Sequence, residues 1–252
     1  MAAEDLWVTT EGRAELVNIT VNEAKVMAIN DARRQAVEQV AGVRLSSATL
    51  VQDFQVLSDL INSSSYGQIV AQKIIRWDTE SLQKDPASAP VIIYKVKIKA
   101  LVARPEGEPD PSFQIEASLN KNVFNEGEEM TLLARFSRDC YVTLINLSAD
   151  GKAIPLVPSQ IREENHILAG SIFQFPDVEE RQAGISLRVG TLPGHKNDRE
   201  AMVIVATKRR QPLPPRINEE KSYSSEEFGK WLVELPLSER TVKIFPYQIL
   251  GK

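Results

Sequence analysis

One cysteine and two histidines among 252 residues leave little material for the commonest kinds of site chemistry. The lone thiol, Cys140, excludes an intrachain disulfide and a cysteine-rich zinc site. His166 and His195 have no second histidine at metal-ligand spacing. No apolar run approaches the roughly 20 residues that a membrane-spanning helix needs. Basic residues are not in excess either: 30 Lys and Arg against 34 Asp and Glu give a net charge of -4, which argues against nucleic acid as a partner, because that binding draws its affinity from clustered cations. A Gly-x-Ser-x-Gly elbow, a phosphate-cradling Gly-rich loop, a dinucleotide fingerprint and a His-Glu-x-x-His helix are all missing. The first residues, MAAEDLWVTTEGRAEL, lack the basic and apolar regions of a secretory signal, and Ala2-Ala3-Glu4 has the form of a mature terminus left after signal removal, so export is expected with the signal peptide absent from this chain.

What is present is ordinary globular material. Hydrophobic residues make up 42% and charged residues 25%, proportions that close a core without staples, and the length suits two domains. The expected fold class is α+β, with a small α/β domain over residues 1–104, helices against an antiparallel sheet. Arg13–Thr20 alternates polar and apolar as a half-buried strand does, with Ala14 and Leu16 on one side. Asn22 is placed to cap a helix in which Val21, Ala24, Ala28, Ala32, Ala36 and Val40 recur at steps of three or four, and Gly42 ends it. The alanines let that helix approach a sheet closely. Arg33, Arg34, Gln35, Glu38 and Gln39 fall mostly off the stripe and read as a solvated face, on which Arg34 and Glu38 have ion-pairing spacing. Leu50, Phe54, Leu57 and Leu60 or Ile61 predict a second, short helix. Two β-branched runs follow, 67–77 and 90–105. The second alternates through Tyr94, Val96, Ile98, Ala100 and Val102, with Lys95, Lys97 and Lys99 on the opposite face.

Residues 105–112 concentrate Pro, Gly and acid, the composition of an extended linker. From 113 to 252 short strands alternate with turn signals: SFQIEASLN, EEMTLLARFS, CYVTLINLS, ADGKAIPLVP, SIFQFP, ISLRVG and AMVIVATKR. That spacing suggests a β-sandwich. Asp150-Gly151 between two apolar runs marks a hairpin, because Gly accepts the positive φ of its turn. Arg209, Pro212 and Pro215 fit a polyproline ligand, although a Pro-rich connection between elements is the plainer reading. Ser224 or Ser225 followed by acids starts one amphipathic helix with Phe228, Trp231, Leu232 and Leu235 on one face. Pro246 places the last strand at an edge or a bulge.

Candidate chemistry is sparse. Glu163, Glu164 and His166 stand close in sequence and could serve a hydrolase, while a polar loop is the plainer reading. His195 lies in a turn rich in Gly and charge. Cys140 leads a strand and suits a buried filler rather than a nucleophile. The sequons at Asn18, Asn62 and Asn146 arise readily by chance. Trp7, Trp77 and Trp231 are scattered, so no sugar-stacking row is visible in the sequence, although a fold could gather them. No catalytic residue, cofactor or metal ligand is assigned.

ARRQAVEQVAGVRL, SSSYGQIV and YKVKIKALV together resemble the N-terminal domain of the flagellar assembly protein T family and related envelope lipoproteins over about the first hundred residues, with Tyr66-Gly67 in the reverse of the family order. From Phe124 to Pro176 the chain resembles an uncharacterised β-rich bacterial domain of unknown function found in envelope and signalling proteins, with Val157-Pro158-Ser159 where such domains carry Phe-Pro-Asn. These resemblances imply a periplasmic location and a non-enzymatic adaptor or assembly role, presenting protein-binding surfaces to an envelope protein complex. A glycan- or peptidoglycan-binding module, using loops around Asn165, His166 and Trp231, is the alternative; the hydrolase is the third.

Overall fold

The computed structural model describes residues 6–41, 67–83, 90–214 and 222–251. The helix expected over residues 50–61, Gly42, the sequon at Asn62 and Pro215 lie outside the described residues. The chain divides into two compact units, Met1–Glu106 with Leu232–Glu234, and Gly107–Trp231 with Leu235–Lys252. Among the described residues no helix is long and apolar enough to cross a membrane. The architecture is a β-rich α+β fold built on open sheets.

The first unit contains strand β1 (Leu6–Glu15), helix α1 (Val21–Ala41) and strands β2 (Gln68–Leu82) and β3 (Val91–Ala103). The sheet order is β1-β3-β2, antiparallel throughout. Helix α1 covers one face. Ala24, Ala28, Ala32 and Ala36 are fully buried, and Ala28, Ala32 and Ala36 pack with Ala14, Val96, Ile98, Ala100 and Val102. Val21, counted in the apolar stripe, is exposed. The close approach that the alanines allow is met on the sheet by Gly12, where a Cβ would fall 2.1 Å from the Ala28 carbonyl oxygen and 2.2 Å from the Ala32 nitrogen. Thr10 Oγ1 donates to the Ala32 carbonyl at 2.7 Å across the same seam.

Two expectations near the start need correction. The strand runs over Leu6–Glu15 rather than Arg13–Thr20, because Val8, Thr10, Gly12 and Ala14 are the residues that oppose Ala100, Ile98, Val96 and Tyr94. The chain then bends through Val17–Ile19, with Asn18 at φ 55°. That bend makes Thr20, not Asn22, the helix cap: Thr20 Oγ1 accepts from the Glu23 amide at 3.3 Å and Glu23 Oε2 accepts from the Thr20 amide at 2.5 Å, a reciprocal capping box. On the outer face Arg34 pairs with Glu38 at 2.8 Å, as its spacing predicts, and also with Asp31.

The second unit contains β4 (Ile115–Leu119), β5 (Val123–Asn125), β6 (Leu132–Phe136), β7 (Cys140–Leu147), β8 (Lys152–Val157), β9 (His166–Ile167), β10 (Phe173–Phe175), helix α2 (Val178–Gln182), β11 (Asn197–Thr207), β12 (Tyr223–Ser224), most of helix α3 (Ser225–Glu234) and β13 (Arg240–Leu250). One sheet has the order β10-β6-β4; the other runs β12-β8-β7-β11-β13-β5 with β9 also on β7. Phe136 and Phe173 of the smaller sheet share one apolar core with Val142, Leu144, Met202, Ile204 and Ile249 of the larger. The Asp150-Gly151 hairpin forms between β7 and β8, with Gly151 at φ 79°. The run ISLRVG forms no regular strand; it pairs with residues 127–130 through an Arg188–Glu129 bridge and through backbone hydrogen bonds from the Met130 amide to Leu187, from the Val189 amide to Glu128 and from the Gly127 amide to Val189. Ser224 caps α3, accepting from the Glu227 amide at 3.2 Å.

Candidate functional site

The residues that the sequence singles out do not converge. Glu163, Glu164 and His166 are exposed, and Glu164 accepts from the backbone amide of His166 at 2.8 Å while the imidazole lies against the Tyr141 ring, 4.9 Å between centroids. Asn165 is buried between them and donates from Nδ2 to the Val142 carbonyl at 3.0 Å, so it anchors the loop to β7. Trp231 is 5% exposed, stacks on Phe228 and donates from Nε1 to the Pro212 carbonyl at 3.0 Å. Its ring is therefore a core element. The Pro-rich connection is structural in the same way, since the Pro214 carbonyl accepts from the Tyr223 hydroxyl. Cys140 is buried, and burial pushes its thiol up to about 12, with the nearby Asp139 charge adding to the rise. A thiol held protonated is a poor nucleophile.

Strand register gathers polar groups that linear spacing hides. Glu200 of β11 opposes Tyr247 of β13, and Met202 opposes Asn146 of β7, so Asn146, Glu200 and Tyr247 sit at one end of the core-facing side of the large sheet. The Tyr247 hydroxyl is 2.5 Å from Glu200 Oε2 and 2.9 Å from Asn146 Oδ1, and Asn146 Nδ2 donates to Glu200 at 2.9 Å. Burial, reinforced by the Glu200 carboxylate, pushes the Tyr247 hydroxyl far above the ordinary phenol range. Two residues from Glu200 on the same strand, Asp198 is buried, accepts from the Leu192 amide at 2.5 Å and lies 2.6 Å from His195 Nδ1. The imidazole itself is half exposed. Each of these contacts closes a loop or a strand end, and among the described residues no group of three or more His, Cys, Asp or Glu could hold a metal ion. A groove of about 300 Å³ lies beside α2, lined by Met130, Pro176, Arg181 and residues 184–188, and takes in none of the residues picked from the sequence.

The first unit offers a different kind of surface. Helix α1 packs with Ala14, Val96, Ile98, Ala100 and Val102, and the opposite face, on which Ile93 is buried, carries cross-strand rungs in register. Trp7, Leu101 and Ala71 form an apolar rung at one end. Thr9, Lys99 and Lys73 form the next, in which two lysines are directly opposed. Glu11, Lys97 and Arg76 follow, then Arg13, Lys95 and Asp78. The last rung, Glu15, Ile93 and Glu80, is acidic. Trp7 is 50% exposed, with Lys99 Nζ 5.2 Å from its ring centroid. Arg76 bonds Asp78 at 3.0 Å and reaches Glu11 at 4.0 Å, while Lys95 pairs with Glu80. The hydrogen bond and charge of Lys95, with a smaller contribution from Arg13, hold the Glu80 carboxyl below its usual range. The motif YKVKIKALV already places the three lysines on one face; which residues oppose them becomes visible only with the register of β1 and β2.

The whole is thus a β-rich protein of two compact units. Residues 123–210 match the model of a domain of unknown function, DUF4384. The match spans β5 to β11 and leaves out β4, α3 and β13. No curated protein matches the chain.

Proposed function

We propose that this protein is a non-enzymatic adaptor of the cell envelope, exported to the periplasm, whose first unit presents a protein-binding surface. One observation carries the reading: the open face of β1-β3-β2 is a solvent-facing array of charged side chains around Trp7, two of whose lysines are placed directly opposite each other. The other face of that sheet is buried under α1, and opposed like charges are unfavourable in a sheet. A surface that keeps them is explained by an external partner. The resemblance of the first hundred residues to flagellar assembly T N-terminal domains supports the compartment and the assembly role, and that of the second half to envelope-associated domains points the same way. In this reading the two sheets of the second unit, which send alternate side chains into one core, form a β-sandwich that serves as scaffold.

Mild crosslinking in cells followed by purification of the chain tests the proposal. Recovery of an envelope protein in stoichiometric yield is the expected outcome; repeated recovery of the chain alone would remove it.

A further inference from the structure

We propose that the open face of β1-β3-β2 docks an acidic segment of another protein, carrying an apolar residue at the end that meets Trp7. The inference rests on the adaptor reading and supplies the partner's chemistry. Six cations and four acids on this face leave it net positive, in a chain whose net charge is -4. Their order along the strands matters more than their sum. An apolar rung with an exposed tryptophan comes first, the cationic rungs hold the middle, and Glu15 and Glu80 close the far end. Lys95, Lys97 and Lys99 occupy alternate positions of β3, a repeat of about 6.6–6.8 Å. An extended segment with acids at alternate positions repeats at the same distance, and a desolvated aromatic at one end fixes its register.

The other occupants fit less well. A second copy of the chain, stacked face to face, sets cationic rungs against cationic rungs whether the strands run in the same or in opposite directions. Nucleic acid or an anionic bilayer presents one sign of charge throughout, so the acidic rung opposes either along the full length of the face, whereas a protein segment can place a basic residue there. Lys73 and Lys99 supply the decisive internal control. Their opposition works against folding, so removing one charge should weaken binding without weakening the fold.

The test is a fluorescence anisotropy titration of the full chain, at low salt, with a labelled peptide bearing leucines at one end, alternating glutamate and alanine through its length, and a lysine at the other end. Oligothymidylate and phosphatidylglycerol vesicles serve as comparison probes. The expected result is saturable peptide binding that is tighter than to either comparison probe, falls about tenfold or more in Lys73→Glu, and falls in Trp7→Ala only for the peptide that carries leucines. Lys73→Glu should keep or raise the thermal midpoint, so its loss of binding is not a loss of structure. Absence of peptide binding, binding indifferent to Lys73, or equal or tighter binding to oligothymidylate or vesicles would each overturn the proposal. Recovery of the same envelope partner in cells by wild type and Lys73→Glu would leave the adaptor reading standing and sink this one.

Discussion

A methyl group at position 12 has nowhere to go. Its Cβ would sit 2.1 Å from one backbone atom of α1 and 2.2 Å from another, so Gly12→Ala must push the helix away from the sheet and loosen the alanine seam. Urea unfolding should show a loss of about 3 kcal/mol, the upper end of overpacking costs. Gly12 thereby acquires a role that its sequence context does not announce, whereas the alanine stripe facing it is readable from spacing alone, because four buried alanines at intervals of four need only one helix to line up. Cys140 makes a second prediction at this scale. Its thiol is raised by burial from 9.0 to about 12, so the folded state keeps a proton that the unfolded chain releases above pH 9. Stability from this group is complete below pH 9 and is lost as the pH rises toward 12. Cys140→Ala should flatten the fall in stability over that window by roughly 1 kcal/mol per pH unit, measured by denaturant titration of both proteins. Asn146, Glu200 and Tyr247 were illegible in the sequence for a different reason: they are 47 and more residues apart, and only the pairing of β7, β11 and β13 brings them into contact.

At the scale of elements, β13 has more weight than its position at the end suggests. It pairs with β11 along eleven residue positions and with β5 in parallel over Gln248–Leu250, and it sends Tyr247 and Ile249 into the core. The family match stops at residue 210, yet β11, inside the match, would lose one of its two neighbours without β13. A chain ended at Glu239 should lose the near-ultraviolet circular dichroism and cooperative unfolding of the second unit; retention of both would show that the matched span is self-sufficient. Pro246 signals part of this arrangement. It opposes Ala201 on β11, and β5 flanks β13 only beyond it, so the proline stands where the strand's other side has no ladder partner, although the strand as a whole is internal to its sheet order. The alternating runs of β3 and β6 are legible because each buries alternate side chains. β1 is misplaced because polar Thr9, Glu11 and Arg13 mask a strand whose inward residues include a glycine and a threonine, and β5 escapes notice because three residues give no period to detect. ISLRVG looks like a strand and does pair with residues 127–130, through one bridge and three backbone hydrogen bonds, a contact too short for a regular strand.

For the molecule as a whole, polar groups that lie close together inside the second unit each hold a loop or a strand end, and Glu163, Glu164 and His166 are exposed. The lysine pattern of β3 was legible as a charged face; its meaning as a binding surface depends on cross-strand neighbours, above all Lys73 opposite Lys99, which no local pattern reveals. The claim on which the account turns is that this face meets a partner in the cell envelope. Site-specific photocrosslinking in cells tests it most directly, with a photoreactive residue at Lys97 and, separately, at the exposed Leu168 of the second unit. The account predicts a discrete adduct with an envelope protein from position 97, lost when Lys73 is changed to Glu. Adducts from position 168 with none from position 97 would contradict it.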